Sequence, residues 1–333
     1  KNGNELWNKE STGGGFRGHP ENYWGRVILW KDQAIDQRGP GRAYNILTGA
    51  PVTRKNPITG KADSWEFTKV GHHCNYAIAS EHLMTFRAAD AGFCDLASGG
   101  PGRLVGFRSG CRNSLIPAGG VLNAPNFAHG CSCSYSIFTS LALVHVPETE
   151  LWTYSPQKEG TGPIQRLGIN LGAPGDRLAD NGVWWLNHPN TGGPSPTAKV
   201  SLVAKSPRYF RFLATQLEGD ALNWVASSGL QGLESLSIPV TVGKPAEPAK
   251  PRSFTVKLYF AEPDDAEQGA RIFDVAVQGK NVLKNFDVAQ ATGGARKTVV
   301  QEFPGILADQ EITISFTAKK GVPVLSGVEI IAE

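Results

Sequence analysis

The most constraining feature of this 333-residue chain is the apolar–polar alternation in its last eighty residues. Phe254-Thr-Val-Lys-Leu-Tyr-Phe260 alternates over its first five positions, and Ile312-Thr-Ile-Ser-Phe316 does so throughout. Ile272-Phe-Asp-Val-Ala-Val277 follows the pattern more loosely, and Val324-Leu-Ser-Gly-Val-Glu-Ile-Ile331 reads as a closing strand. A period of two buries one face of a strand and wets the other, as in an antiparallel sandwich. The turns between these segments are short, so a meander or jelly roll is expected. The 39 Gly and 22 Pro suit many short strands joined by turns, and the fold class expected for the whole chain is all-β.

Upstream the texture changes twice. Residues 1–153 carry short apolar runs, Gly-rich turns and all five cysteines. Strands are expected around Arg26–Trp30, Tyr76–Ser80, Leu83–Phe86, Arg103–Phe107 and Ile137–His145. A polar, breaker-rich linker is read over 154–166, and a second domain over 167–333, opening at Leu167-Gly-Ile-Asn-Leu-Gly172. Gly243-Lys-Pro-Ala-Glu-Pro-Ala-Lys-Pro251 reads as a stiff exposed loop between strands.

The net charge of +3 arises from 33 basic and 30 acidic residues without a Lys/Arg run. No nucleic-acid or anionic-membrane partner is expected, and no apolar stretch approaches the roughly 20 residues that span a bilayer. The cysteines, Cys74, Cys94, Cys111, Cys131 and Cys133, cluster as local cross-links would, which persist in an oxidising compartment. Two bridges among Cys74, Cys111, Cys131 and Cys133 allow three connectivities. Cys74–Cys133 with Cys111–Cys131 is the working pairing, leaving Cys94 as the free thiol. A metal reading of the same region would use His72, His73 and His129, but no C-x-x-C pair is present, and structural disulfides are preferred. No nucleophile elbow, Walker loop or H-E-x-x-H occurs. Glu81-His82 and Asp90 could serve acid–base work, though no spacing demands it, and Asp264-Asp265 reads as a solvated acidic turn. A non-enzyme without cofactor is favoured, and the alternative is a metal-dependent enzyme using the His/Cys cluster of His72, His73 and His129.

Phe254 to Glu262, followed by Arg271-Ile-Phe-Asp-Val-Ala-Val-Gln-Gly-Lys280 and Asn285-Phe-Asp-Val288, closely resembles the malectin domain. Ile169-Asn-Leu-Gly172, Gly182-Val-Trp-Trp185 and Gly192-Gly193 look like the start of the same domain. The resemblance implies a carbohydrate-binding β-sandwich over 167–333. In malectin-like domains an aromatic in the early loop contributes to the sugar site, which points to Trp184 and Trp185. Sugars pair an apolar C–H face with a polar rim, so Asn187 and His188 become the polar partners and Tyr209 a further aromatic. One of two adjacent tryptophans on a strand is expected to face the core, as are Trp224 and Phe212. The family's sugar-binders place an acidic residue in the loop before the last strand. Here that loop reads Lys320-Gly-Val-Pro-Val-Leu325, without a carboxylate.

Asn2-Gly-Asn-Glu-Leu-Trp7, Trp24-Gly-Arg-Val-Ile-Leu-Trp30, Ala43-Tyr-Asn-Ile-Leu-Thr-Gly49 and Thr59-Gly60-Lys61 leading to Trp65 resemble blade repeats of pyrroloquinoline-quinone-like β-propellers. The stretch from Gly71-His-His-Cys74 to Cys131-Ser-Cys-Ser-Tyr135 is similar to the closing region of large exported propeller proteins of planctomycete type. About 150 residues hold at most three blades, too few to close a ring. The N-terminal region is therefore expected to be a partial propeller, the end of a longer protein or a piece whose open edges pair with other chains. Glycan or other protein chains are the expected partners, an oligomer or filament is an alternative role, and the location expected is periplasmic or extracellular.

Overall fold

A computed structural model describes residues 4–9, 27–37, 41–67, 75–111, 113–126, 135, 139–146, 149–154, 161–193, 195–196, 198–219, 221–243 and 250–333. His72, His73, Cys74, His129, Cys131 and Cys133 lie outside them, as does most of the Pro-rich loop at 243–251. The described fold is all-β, and the chain divides into two units. The first comprises residues 1–55, 62–147 and 153–156; the second comprises 56–61, 148–152 and 157–333.

The first unit is a set of small antiparallel sheets. β1 (Val27–Trp30), β2 (Gln33–Asp36) and β3 (Ala43–Asn45) form one, and β4 (Thr53–Lys55) pairs with β5 (Ala62–Ser64). β6 (Ile78–Ala79), β7 (Leu83–Ala88), β8 (Asp90–Asp95) and β9 (Pro101–Leu104) make a four-stranded meander. β10 (Ile116–Ala118), β11 (Val121–Ala124) and β12 (Leu141–Val144) make the last sheet. The strand expected at Arg103–Phe107 lies earlier, because Gly106 at a φ of +96° turns the chain out of the ladder. Ile35, Phe67, Met84, Phe86 and Leu96 form the main core of this unit. No closed propeller forms among the described residues.

One turn recurs with the same bonding. Asn45 Oδ1 accepts from the amides of Leu47 and Thr48, and Gly49 at φ +67° donates back to Asn45 O. Asn56-Pro-Ile-Thr-Gly60 repeats this, with Asn56 Oδ1 accepting from Ile58 and Thr59. Asp95-Leu-Ala-Ser-Gly99 repeats it again, with Asp95 accepting from Ala97 and Ser98. A short side-chain acceptor closes the turn, and glycine supplies the left-handed residue that ends it. The first two copies are flagged in sequence by Thr-Gly; the third is hidden by Ser98 in place of Thr.

The second unit is a sandwich. After β13 (Gly162–Pro163) come β14 (Arg166–Leu171), β15 (Arg177–Leu178), β16 (Trp184–His188), β17 (Ser201–Arg211) and helix α1 (Asn223–Ala226). β18 (Ser228–Pro239), β19 (Thr241–Val242), β20 (Arg252–Ala261), β21 (Ile272–Val277) and β22 (Lys280–Phe286) follow. Helix α2 (Val288–Thr292), β23 (Thr298–Ala308), β24 (Glu311–Lys320), β25 (Val324–Leu325) and β26 (Gly327–Ala332) complete it. One sheet has the order β15-β16-β14-β26-β20-β23, the other β17-β18-β24-β21-β22 with β25 on β18. The expected closing strand is thus two strands in different sheets: the chain changes sheet at buried Ser326, whose amide donates to Tyr259 O. Leu167, Ile169, Trp184, Leu258 and Phe260 of the first sheet meet Leu230, Leu236, Phe273 and Ile314 of the second in one core.

Candidate functional site

Alternation along β16 sends its two tryptophans to opposite faces. Trp184 enters the core between the sheets, and Trp185 enters a second cluster on the outer face, with Val225 and Tyr259. That outer face is covered by the Ala221–Val225 stretch, which ends in α1, so both indoles are only 1% exposed. Neither offers a ring face to a ligand, which corrects the expectation of a Trp184/Trp185 stacking platform. Trp224 is half-buried in the same outer cluster, edge-on to Trp185 at 5.9 Å between centroids. Phe212 packs against buried Leu217, Ala226 and Ala261.

The remaining residues read from sequence fall at one end of the sandwich. His188 ends β16, and its carbonyl accepts from Gly172 N at 2.8 Å. Gly172 has a φ of +72°, and a Cβ there would lie 3.1 Å from the Tyr209 ring, so His188 and Tyr209 flank one glycine. Tyr209 is 43% exposed, and partial burial raises its phenol above the ordinary tyrosine value. Desolvation lowers the imidazole of His188, which is therefore neutral at pH 7 and able to donate and accept. Asn187, one residue earlier, points to the other face. Its amide nitrogen bonds Thr191 Oγ1 at 2.7 Å, and its backbone amide bonds buried Asp176 at 2.9 Å. Asn187 thereby fixes the 188–193 loop beside His188. Tyr209 of one sheet and the His188 backbone of the other thus meet at Gly172, at one mouth of the sandwich.

A charge network holds the neighbouring loops. Buried Arg271 donates to buried Glu262 at 2.7 and 3.1 Å, to Asp264 at 2.9 Å and to Val322 O. Gln231 donates to Asp264 Oδ2 at 2.6 Å, and Arg208 binds both Gln231 Oε1 and Asp264 Oδ1. Desolvation alone would raise the Asp264 carboxyl. The hydrogen bonds from Gln231 and Arg208 and the two guanidinium charges outweigh it and hold the group below its usual range. Asp264 is thus no freely solvated turn residue. It supplies a carboxylate at the end of the sandwich where the 320–325 loop has none, already committed to two arginines and a glutamine. Asp265 pairs on the surface with Arg296.

Elsewhere, Asp90 is engaged by Arg103 at 2.8 and 2.6 Å, and His82 is exposed beside Glu81. The Cys94 thiol is fully buried, donates to Gly99 O at 3.4 Å, and is pushed up by burial. Among the described residues no group of three His, Cys, Asp or Glu could hold a metal ion, and no helix is long and apolar enough to cross a membrane.

Residues 248–328 match the family model of the Malectin domain, and over that stretch, from the Pro-rich loop into β26, the chain is malectin-like. No curated protein matches the sequence. Among solved structures, Bacteroides uniformis beta-glucuronidase is similar over 50% of this chain and 18% of its own, at 15% identity and a TM-score of 0.38. A calcium-binding mutant of B. uniformis beta-glucuronidase 2 aligns over 94% of this chain and 28% of its own, at 11% identity and a TM-score of 0.40. The ANX2 ectodomain of Arabidopsis thaliana aligns over 50% of this chain and 49% of its own, at 14% identity and a TM-score of 0.34. The chain thus spans less than a third of the glucuronidases and about half of the receptor ectodomain, and superpositions this loose do not define a shared fold.

Proposed function

We propose that the second unit is a glycan-binding module of an exported bacterial protein, and that the saccharide seats at the mouth on Tyr209 and His188. The carrying observation is a half-exposed tyrosine ring against Gly172, whose amide bonds the His188 carbonyl, in a unit that contains the Malectin match. The ring supplies an apolar face for sugar C–H groups, and the imidazole supplies one donor and one acceptor for hydroxyls. In this reading Trp184 and Trp185 are core residues of the two faces of the first sheet and take no part in the site. The first unit is the end of a partial propeller of the pyrroloquinoline-quinone-like type. The Asn45–Gly49 and Asp95–Gly99 turns of that unit and its four-stranded meander β6–β9 support that assignment. Disulfides among Cys74, Cys111, Cys131 and Cys133 in a periplasmic or extracellular setting belong to the same proposal.

A second reading, an assembly protein, is favoured by one observation. Edge strands β1 and β12 carry Leu29 and Val144 at 71% and 70% exposure, as sheet edges that pair with another chain would. One experiment separates the two. Tyr209→Ala is tested for retention on immobilised glycans and for size by light scattering. Glycan binding predicts weakening of about tenfold, roughly 1.4 kcal/mol, at unchanged size. Undiminished retention removes the mouth as the site.

A further inference from the structure

On the outer face of the first sheet four aromatic rings run in series. Trp152 meets Trp224 edge-on at 6.0 Å, Trp224 meets Trp185 at 5.9 Å, and Trp185 meets Tyr259 at 5.0 Å. The inner end is buried: Tyr259 donates to Glu329 Oε2 at 2.7 Å. The outer end is half-buried, where Trp152 and Trp224 flank Arg177 of edge strand β15. The Arg177 guanidinium lies 4.8 Å from the Trp224 centroid and 6.0 Å from that of Trp152. Among the described residues nothing accepts a hydrogen bond from it. A guanidinium carries five N–H donors in a planar fork, and one held against two indoles is positioned to use them on something outside the chain.

The surrounding charges select the ligand. Glu150 and Asp180 both feel the charge of Arg177. The Glu150 oxygens take the Ala214 amide at 2.8 Å and Trp152 Nε1 at 3.1 Å, which fixes that indole in place. Asp180 is exposed. One cation between two carboxylates disfavours an added anion, whereas hydroxyl groups can accept from the fork and donate to the carboxylates. The exposed parts of the half-buried indoles supply the apolar surface that a sugar ring presents its C–H face to.

We infer that Arg177, Trp152 and Trp224 form a second saccharide site, on the sheet face rather than at the mouth, selective for a neutral pyranose. The inference takes its ligand class from the glycan-binding reading but uses none of the mouth residues.

The test is a tryptophan-fluorescence titration of the full chain with neutral gluco-, xylo-, manno- and galacto-oligosaccharides, and with uronate and sulfated oligosaccharides. Arg177→Gln, Trp152→Ala and Tyr209→Ala are compared, with Arg177→Met keeping the packed stem and circular dichroism verifying the fold. At least one neutral series is expected to perturb the fluorescence, and both Arg177 variants and Trp152→Ala to weaken it about tenfold. If both Arg177 variants and Trp152→Ala weaken that signal while Tyr209→Ala leaves it intact, the sheet-face site stands independently of the mouth, whose own test is the retention of Tyr209→Ala on immobilised glycans. Binding lost in Tyr209→Ala but kept in the Arg177 variants overturns the second site and leaves the mouth. Binding confined to the charged sugars overturns the neutral assignment, and no binding by any sugar overturns both sites.

Discussion

Trp184 and Trp185 are neighbours in sequence and end in different cores, and that divergence shows what one strand can reveal. Alternation fixes that their side chains oppose, so a core role for one of them was legible. The burial of the other was not, because its cover comes from Ala221–Val225, far along the chain. A local pattern cannot announce a second layer built from distant segments. The close fit leaves a testable mark at Gly168, which pairs with Trp185 across β14 and β16. A Cβ at Gly168 would lie 2.2 Å from the Trp185 ring, far inside contact distance, and the buried indole has no room to retreat. Gly168→Ala is therefore expected to destabilise the second unit by about 1–3 kcal/mol, the usual range for overpacking. Urea unfolding followed by tryptophan fluorescence measures it, and an unchanged midpoint would sink the packing argument.

Among the elements, strands were read more securely than the loops between them. Ile272–Val277 becomes β21 with the expected bounds, and Phe254–Phe260 lies within β20, since each carries its own period-two signal. The connection between these two strands carried no comparable signal. Its Asp264-Asp265 pair reads as solvated when seen alone, because the residues that engage it, Arg208, Gln231, Arg271 and Arg296, are 7 to 56 positions away. Only the three-dimensional arrangement separates a buried ion pair from a surface one. Glu262 and Arg271 are both buried, so truncating one strands the other charge in a poorly solvated place. Glu262→Ala is expected to cost about 3–5 kcal/mol in chemical unfolding. Asp265→Ala removes only a solvent-screened pair with Arg296 and should leave the midpoint where it is. Equal losses from the two variants would contradict the distinction between them.

At the scale of the whole molecule, the second unit is discontinuous in sequence, which no boundary drawn along the chain could show. The sequence suggests a second domain from residue 167, yet residues 56–61 and 148–152 belong to the same unit as 157–333. Ile58, at the tip of the Asn56-Pro-Ile-Thr-Gly60 turn, is 4% exposed within the main sandwich core. Its carbonyl accepts from Gln165 N at 2.7 Å and from Arg166 N at 3.2 Å, capping the start of β14. Trp152 likewise packs on Trp224 from outside the continuous stretch. A fragment beginning at Gln157 keeps every strand of both sheets and loses these two side chains. Burying one Ile contributes about 1.5–3 kcal/mol, and opening the core beside Ile164 and Leu167 adds a cavity term. The fragment is thus expected to fold with the circular dichroism of a β-sandwich but to melt below the corresponding transition of the full chain. Ile58→Ala in the full chain should lower that transition in the same direction. If the fragment melts at the full-chain temperature, the turn at 56–60 contributes nothing to the sandwich. A lowered melt would make residues 56–61 and 148–152 part of the domain's fold.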